Sequence, residues 1–167
     1  MIHLELPKRK SNRLSDYNYS QSGTYFITLC SINKLPIFCR IHQEHELASP
    51  VVELSNYGYL VETQILSISR FYPDICVEKY VIMPNHIHLL LTLHKNNQQA
   101  ADPANNRIPA LISVLKRFTN KSAGVNLWHR SYHDHVIRDE ADYLTRWKYI
   151  EDNPAKWMMD RFYVSEN

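Results

Sequence analysis

Two histidines one residue apart, His86 and His88, sit in the run YVIMPNHIHLLLTL (80–93), whose other residues have the composition of a buried strand. Side chains alternate faces along a strand, so both imidazoles point one way while Ile87 and Leu89 point the other. With a rise of ~3.3 Å per residue they stand about 7 Å apart along the strand, a spacing that lets two rings converge on one metal ion. Such a pair needs a third ligand from elsewhere, and an open coordination position if the metal is to do chemistry. The plainer alternative is a half-buried strand whose outer face carries two histidines beside solvent. A third pattern, the HφHφHφφ signature of histidine-triad nucleotide hydrolases, loses its last histidine to Leu90.

A second chemical group lies near the far end, in DEADYLTRWKYIEDNP. Asp139 suits a helix N-cap, and Pro154 cannot let the helix over EADYLTRWKYIED continue far. At about 100° per residue, Tyr143, Leu144, Trp147 and Ile150 gather into one apolar stripe, and Tyr149 lies about 100° around from Ile150. Tyr143 is therefore the better core tyrosine, and Tyr149 is the one whose hydroxyl can face a site at the edge. Asn153 is one turn beyond Tyr149 and beside it. Its carboxamide oxygen is a competent hard ligand for Mg²⁺ or Mn²⁺. Each residue also has an ordinary alternative: a packing tyrosine on a helix flank, and a helix stop before proline.

These groups need a scaffold to hold them. GTYFITLCSI (23–32) reads as a first strand, and residues 51–71 carry apolar residues at 54, 57, 61, 65 and 68, a helical spacing. ICVEKYVIM and HIHLLLTL form two strands that pair as a hairpin through Pro84-Asn85, a turn-favouring pair. The polar segment 94–107 reads as a flexible loop. Residues 108–123 form an amphipathic helix with Lys116, Arg117 and Lys121 on its polar face. Residues 127–138 have the look of a last, partly polar strand bearing His129, Arg130, His133 and His135, ahead of the helix that holds Tyr149. Strand, helix, strand, strand, helix, strand, helix describes an α+β, ferredoxin-like (RRM-like) antiparallel sheet with helices packed on one face, plus a C-terminal helix carrying the tyrosine. Residues 1–22, with Lys8, Arg9, Lys10 and Arg13, read as a basic arm ahead of one domain over 23–167.

Composition narrows the function classes. The chain has 167 residues, 44% hydrophobic and 22% charged, with a net charge of +2, a balance that fits a globular protein and decides no partner by itself. Three cysteines without a CxxC pair, no apolar leader and no membrane-length apolar run point to a soluble, cytoplasmic protein. Three glycines leave no Gly-rich phosphate loop.

Taken together, YVIMPNHIHLLL, LWHRSYHDHVIRDEADYL and YIEDNPAKW resemble the IS200-type single-tyrosine HUH transposases, and most of all their REP-associated tyrosine transposase branch. GTYFITLC and the basic segment before it also fit, so the likeness spans nearly the whole chain. The resemblance implies that His86 and His88 bind a divalent metal, Mg²⁺ or Mn²⁺, that Asn153 is the third ligand, and that Tyr149 is the nucleophile. It implies cleavage and rejoining of single-stranded DNA through a 5′-phosphotyrosine, with recognition of DNA hairpins, by a monomer or a homodimer. Lys8, Arg9, Lys10, Arg13, Lys116, Arg117, Lys121 and Arg130 are the candidate DNA contacts, because a single strand needs a basic groove. The phenol, with an ordinary pKa near 10, must lose its proton during attack, with the metal, Lys148 or Lys156 as candidates to assist. Two competing functions are a catalytically silent nucleic-acid-binding module of the same fold and a histidine-triad-like nucleotide hydrolase.

Overall fold

The computed structural model describes residues 22–42, 48–94 and 107–159. Along the chain these form β1 (Gly23–Cys30), β2 (Cys39–His42), β3 (Val51–Leu54), α1 (Asn56–Phe71), β4 (Ile75–Met83), β5 (His86–Leu93), α2 (Arg107–Ala123), β6 (His133–Val136) and α3 (Glu140–Asp152). Short 3-10 turns at Ile32–Lys34 and Pro154–Met159 complete the described residues. Four strands make one antiparallel sheet in the order β4-β5-β1-β6, the strand order of a ferredoxin-like sandwich. Strands β2 and β3 form a separate two-stranded ribbon.

Register decides which residues share a face. Tyr25 pairs with Leu91, Ile27 with Leu89 and Leu29 with Ile87. These residues turn toward α1 and α2, where Val61, Ile65, Ile68, Leu111, Ile112 and Leu115 complete the main core. The alternate residues Phe26, Thr28, His86, His88 and Leu90 turn to the opposite face, which α3 covers through Ile150. Strand β5 is thus buried on both sides, which is why it reads as an almost unbroken apolar run. Burial of this core supplies most of the folding drive, on the order of 25 cal/mol per Å² of apolar surface removed from water.

The expected fold class stands, but several boundaries move. The helical spacing over 51–71 includes four residues that are strand: Val51–Leu54 pairs with Cys39–His42, and only then does Ser55 cap α1 by accepting from the Gly58 N–H at 3.1 Å. Leu54 falls in phase with Tyr57 and Val61, so periodicity alone cannot separate the two elements. Gly58 is required where it stands, since a Cβ there would collide with the Phe38 carbonyl oxygen. The strand expected over 127–138 contracts to His133–Val136, because Leu127 and Trp128 instead plug the core from an irregular segment. Trp128 Nε1 donates to Thr119 Oγ1 at 2.7 Å, and the Leu127 N–H donates to Asn120 Oδ1 at 2.8 Å. The basic arm with Lys8, Arg9, Lys10 and Arg13, and nearly all of the expected loop, lie outside the described residues. No helix among the described residues is long and apolar enough to cross a membrane.

One polar clip ties the two halves together. Arg107, the first residue of α2, forks onto the buried Asp74 carboxylate just before β4, with Nε 2.7 Å from Oδ2 and Nη2 on Oδ1. The Arg107 hydrogen bond holds the Asp74 carboxyl below the ordinary carboxylate range, against burial that would raise it. A carboxyl depressed on folding contributes stability that is complete above its unfolded pKa of ~3.9 and is lost as pH falls through the folded value. Asp74→Asn is therefore expected to cost about 2 kcal/mol of unfolding free energy at neutral pH. Urea unfolding repeated under acid conditions should show the gap to wild type closing below about pH 4.

Candidate active site

The hairpin turn between β4 and β5 delivers the two histidines. Pro84 and Asn85 are held from outside the turn: the Ser31 N–H donates to the Asn85 carbonyl at 2.8 Å and the Phe38 N–H to the Pro84 carbonyl at 3.0 Å. His86 and His88 follow with no solvent exposure at all, their ring centroids 4.7 Å apart and their planes at 70°. Each ring is fixed through its Nδ1 atom. His86 Nδ1 lies 2.9 Å from Asn85 Oδ1, and His88 Nδ1 lies 2.8 Å from Thr28 Oγ1 on the neighbouring strand. The Asn85 Nδ2 donates to the Lys34 carbonyl at 3.2 Å, which orients the amide so that its oxygen faces His86. An amide oxygen only accepts, so His86 carries its proton on Nδ1 and presents a lone pair on Nε2. This is the arrangement in which an outer partner sets the tautomer of a metal-binding imidazole.

Helix α3 brings the other half. Asp139 caps it, accepting from the Asp142 N–H at 2.8 Å. Tyr143, Trp147 and Ile150 pack on Phe26 and Leu90 as the apolar stripe requires, whereas Leu144 stays 56% exposed on the outer side. Lys79 of β4 fastens the helix, its ammonium 4.3 Å from the Trp147 ring centroid and 3.2 Å from Glu151 Oε1. Tyr149 turns inward further than the stripe predicts. Its ring meets His88 edge-on at 5.2 Å between centroids, and Phe26 at 5.9 Å.

Asn153 ends the helix, 2% exposed. It is bracketed one turn on each side by rings that touch the histidines: Tyr149 on His88, and Trp157 on His86 at 6.0 Å. Among the described residues Asn153 Oδ1 is a buried acceptor that makes no hydrogen bond, and the Nε2 atoms of His86 and His88 are also buried. A desolvated amide oxygen left unsatisfied costs about 1–3 kcal/mol, so its burial calls for an explanation. Among the described residues no three His, Cys, Asp or Glu side chains gather as a metal set, so a cation at this place needs the amide.

Of the candidate DNA contacts, those on α2 lie on the far side of the sheet from the histidines. Lys116 is partly buried, and its Nζ donates to the carbonyls of His129 (2.8 Å), Arg130 (3.4 Å) and Ser131 (3.3 Å). Burial lowers its pKa to about 8. It staples the segment leading to β6 instead of standing free on a polar face. Arg117 is exposed and lies over the Phe118 ring, and Lys121 is exposed in the last turn of α2. Arg130 is exposed ahead of β6.

His133 pairs in register with Thr28, and His135 with Phe26, so both belong to the face that bears the site. His135 Nε2 lies 2.7 Å from Asp142 Oδ2. The sequence reading did not single out Thr28, Asn85, Phe26 or Trp157. Asn85 was open to view as the residue just before the histidine pair. Thr28 and Phe26 needed the β1–β5 register.

Comparison with known proteins gives the site a context. No protein-family model matches the chain. An uncharacterized protein of Haemophilus influenzae is 30% identical over 174 residues, covering 93% of each chain. The REP-associated tyrosine transposase of Escherichia coli is 23% identical over 145 residues, 86% of this chain and 74% of that one. A solved structure of a REP-associated tyrosine transposase bound to a REP hairpin superposes with a TM-score of 0.59 at 22% identity, over 86% of this chain and 74% of that one, and shares the fold. The chain is thus similar in sequence to a REP-associated tyrosine transposase and shares the fold of one.

Proposed function

We propose that this protein cleaves and rejoins single-stranded DNA through a 5′-phosphotyrosine on Tyr149, at a divalent-metal site made by His86, His88 and Asn153. The observation that carries this reading is the contact of the Tyr149 ring with His88, 5.2 Å between centroids, within one chain. A hairpin of REP type is the substrate feature suggested by the solved neighbour, which is bound to one.

Two imidazole nitrogens and an amide oxygen suit Mn²⁺ or Mg²⁺, with positions left for phosphate oxygen and water. The buried Asn153 Oδ1 fits that use. When bound, the cation supplies Lewis-acid stabilisation of charge on the scissile phosphate.

The chain's own residues do the rest. Thr28 and Asn85 hold the two imidazoles in place. Phe26 and Tyr149 shield His88, and Trp157 shields His86, which keeps the electrostatics of the site strong by limiting water. The Tyr149 oxygen attacks phosphorus, forming the Oη–P bond and breaking the P–O3′ bond. The phenol proton leaves to solvent and the departing oxygen takes one up as a 3′-hydroxyl. Lys156 spends its ammonium on Asp152 at 2.9 Å, and Lys148 stands by the same carboxylate. A later 3′-hydroxyl reverses the step, so no nucleotide cofactor is consumed. The nucleophile acts in the chain that holds the histidines.

The test is incubation with hairpin-bearing single-stranded oligonucleotides, with adducts resolved on denaturing gels. An adduct is expected with Mn²⁺ or Mg²⁺ and a loss of at least about 100-fold in EDTA, the scale expected of a metal that carries transition-state charge. Undiminished adduct in EDTA would remove the metal from the mechanism.

A further inference from the structure

A second charged assembly lies beside the candidate site and has no part in the chemistry above. Asp142, in the first turn of α3, accepts from His135 Nε2 at 2.7 Å and from the Arg138 N–H at 3.3 Å through Oδ2. Its other oxygen, Oδ1, takes the Arg146 Nε at 3.4 Å. Burial would raise the Asp142 carboxyl, but these hydrogen bonds and the charges of His135 and Arg146 outweigh it and hold the group below the ordinary range. The carboxylate is therefore a fixed anchor.

What it anchors is the Arg146 guanidinium, whose Cζ sits 5.3 Å from the Phe26 ring centroid. Phe26 is the floor of the candidate site: its ring also meets His88, stacked at 5.0 Å and 21°, and Tyr149. Arg146 also precedes Tyr149 by three residues on α3, so the two side chains lie on one helix face. Only Nε is used by Asp142, and the terminal nitrogens make no hydrogen bond among the described residues. The side chain is 33% exposed, so a ligand can reach it.

We propose that Arg146 is a DNA-contacting residue of this site, binding a backbone phosphate of the single strand next to the Tyr149 hydroxyl, with Asp142 and His135 as the residues that position it. The fork geometry suits this: a guanidinium held by Nε keeps two parallel N–H groups for the two oxygens of a phosphodiester. Cation–π contact with Phe26 keeps the plane against the floor of the site instead of sweeping through solvent. This rests on the DNA-cleaving reading above.

The test uses the full chain, Mn²⁺ and a labelled, hairpin-bearing single-stranded oligonucleotide, followed by fluorescence anisotropy across a salt series. Each phosphate contact on a single strand contributes roughly 0.7 to the slope of log affinity against log salt. Arg146→Gln is expected to lower the slope by that amount and to weaken binding at low salt, and Arg146→Lys to restore the slope. If the wild type binds with a clear salt slope and Arg146→Gln leaves it unchanged, the Arg146 assignment is overturned while the DNA reading survives. If the wild type does not bind the single strand, the DNA reading falls and this assignment with it. Should Arg146→Gln fail to fold, phenylglyoxal modification of the wild type decides: the peptide holding Arg146 is protected by the same oligonucleotide, and equal modification with and without it overturns the proposal.

Discussion

Tyr149→Phe is expected to abolish covalent protein–DNA adducts while leaving the fold and single-strand binding in place. The substitution removes one oxygen, the only atom that can bond to phosphorus in the proposed step. Loss of a nucleophile typically costs a factor of about 10³ or more in rate, and here the adduct itself cannot form. The ring contacts survive, because Phe26 at 5.9 Å and His88 at 5.2 Å meet the aromatic body of the side chain. Unfolding free energy should fall by no more than about 1.5 kcal/mol, the scale of one hydrogen bond. Tyr143→Phe is the matching control. Tyr143 lies on the same helix but packs with Trp147 at 5.9 Å, away from the histidines, and its variant should form adducts at the wild-type rate.

His88→Ala carries the second large effect. Removing an imidazole deletes a proposed ligand outright, whereas Thr28→Val deletes only the partner that holds the ring at 2.8 Å. Loss of such an outer partner costs about 10- to 100-fold in metal affinity, so Thr28→Val should fall in that range and His88→Ala below it. The same order should appear without any DNA. A metal present at about 100 times its Kd adds about 2.7 kcal/mol to the stability of the state that binds it. Thermal unfolding with and without Mn²⁺ should therefore show a shift for wild type, a reduced one for Thr28→Val and none for His88→Ala. His86→Ala should behave as His88→Ala does. Equal Mn²⁺ shifts in all four proteins would detach the histidines from the metal.

Local pattern made some of this architecture legible and hid the rest for physical reasons. The histidine strand was readable because period-two alternation puts His86 and His88 on one face whatever the neighbouring strands are. The candidate residues on α3 stood out because helix geometry separates Tyr149 and Asn153 from Tyr143 and Ile150. It was blurred where packing departs from a cylinder: Leu144 belongs to the stripe by angle yet stays exposed, and Tyr149 reaches in toward the sheet. The β2–β3 ribbon was missed because four-residue strands carry too little periodicity, and Leu54 mimics the first turn of α1. The supporting residues Thr28 and Phe26 are set by pairing across 60 or more positions of sequence, a register that no local pattern encodes.

Basic residues illustrate the opposite difficulty. Lys116 and Arg146 look alike in sequence as cations on amphipathic helices. One turns its ammonium onto three carbonyls behind the sheet, and the other lies over the aromatic floor of the site. Charge type alone cannot tell these apart, since the distinction depends on which face of the sheet each helix covers.

Tyr149, set against His88 in the same chain, is expected to become covalently joined to DNA. Trapping the adduct, digesting both protein and DNA, and sequencing the modified peptide by tandem mass spectrometry tests it most directly. A 5′-phosphonucleotide is expected on Tyr149 in the peptide containing YIEDNP, formed only when divalent metal is present. A nucleotide found on another residue, or DNA cleaved at full rate with Tyr149 unmodified, would contradict it.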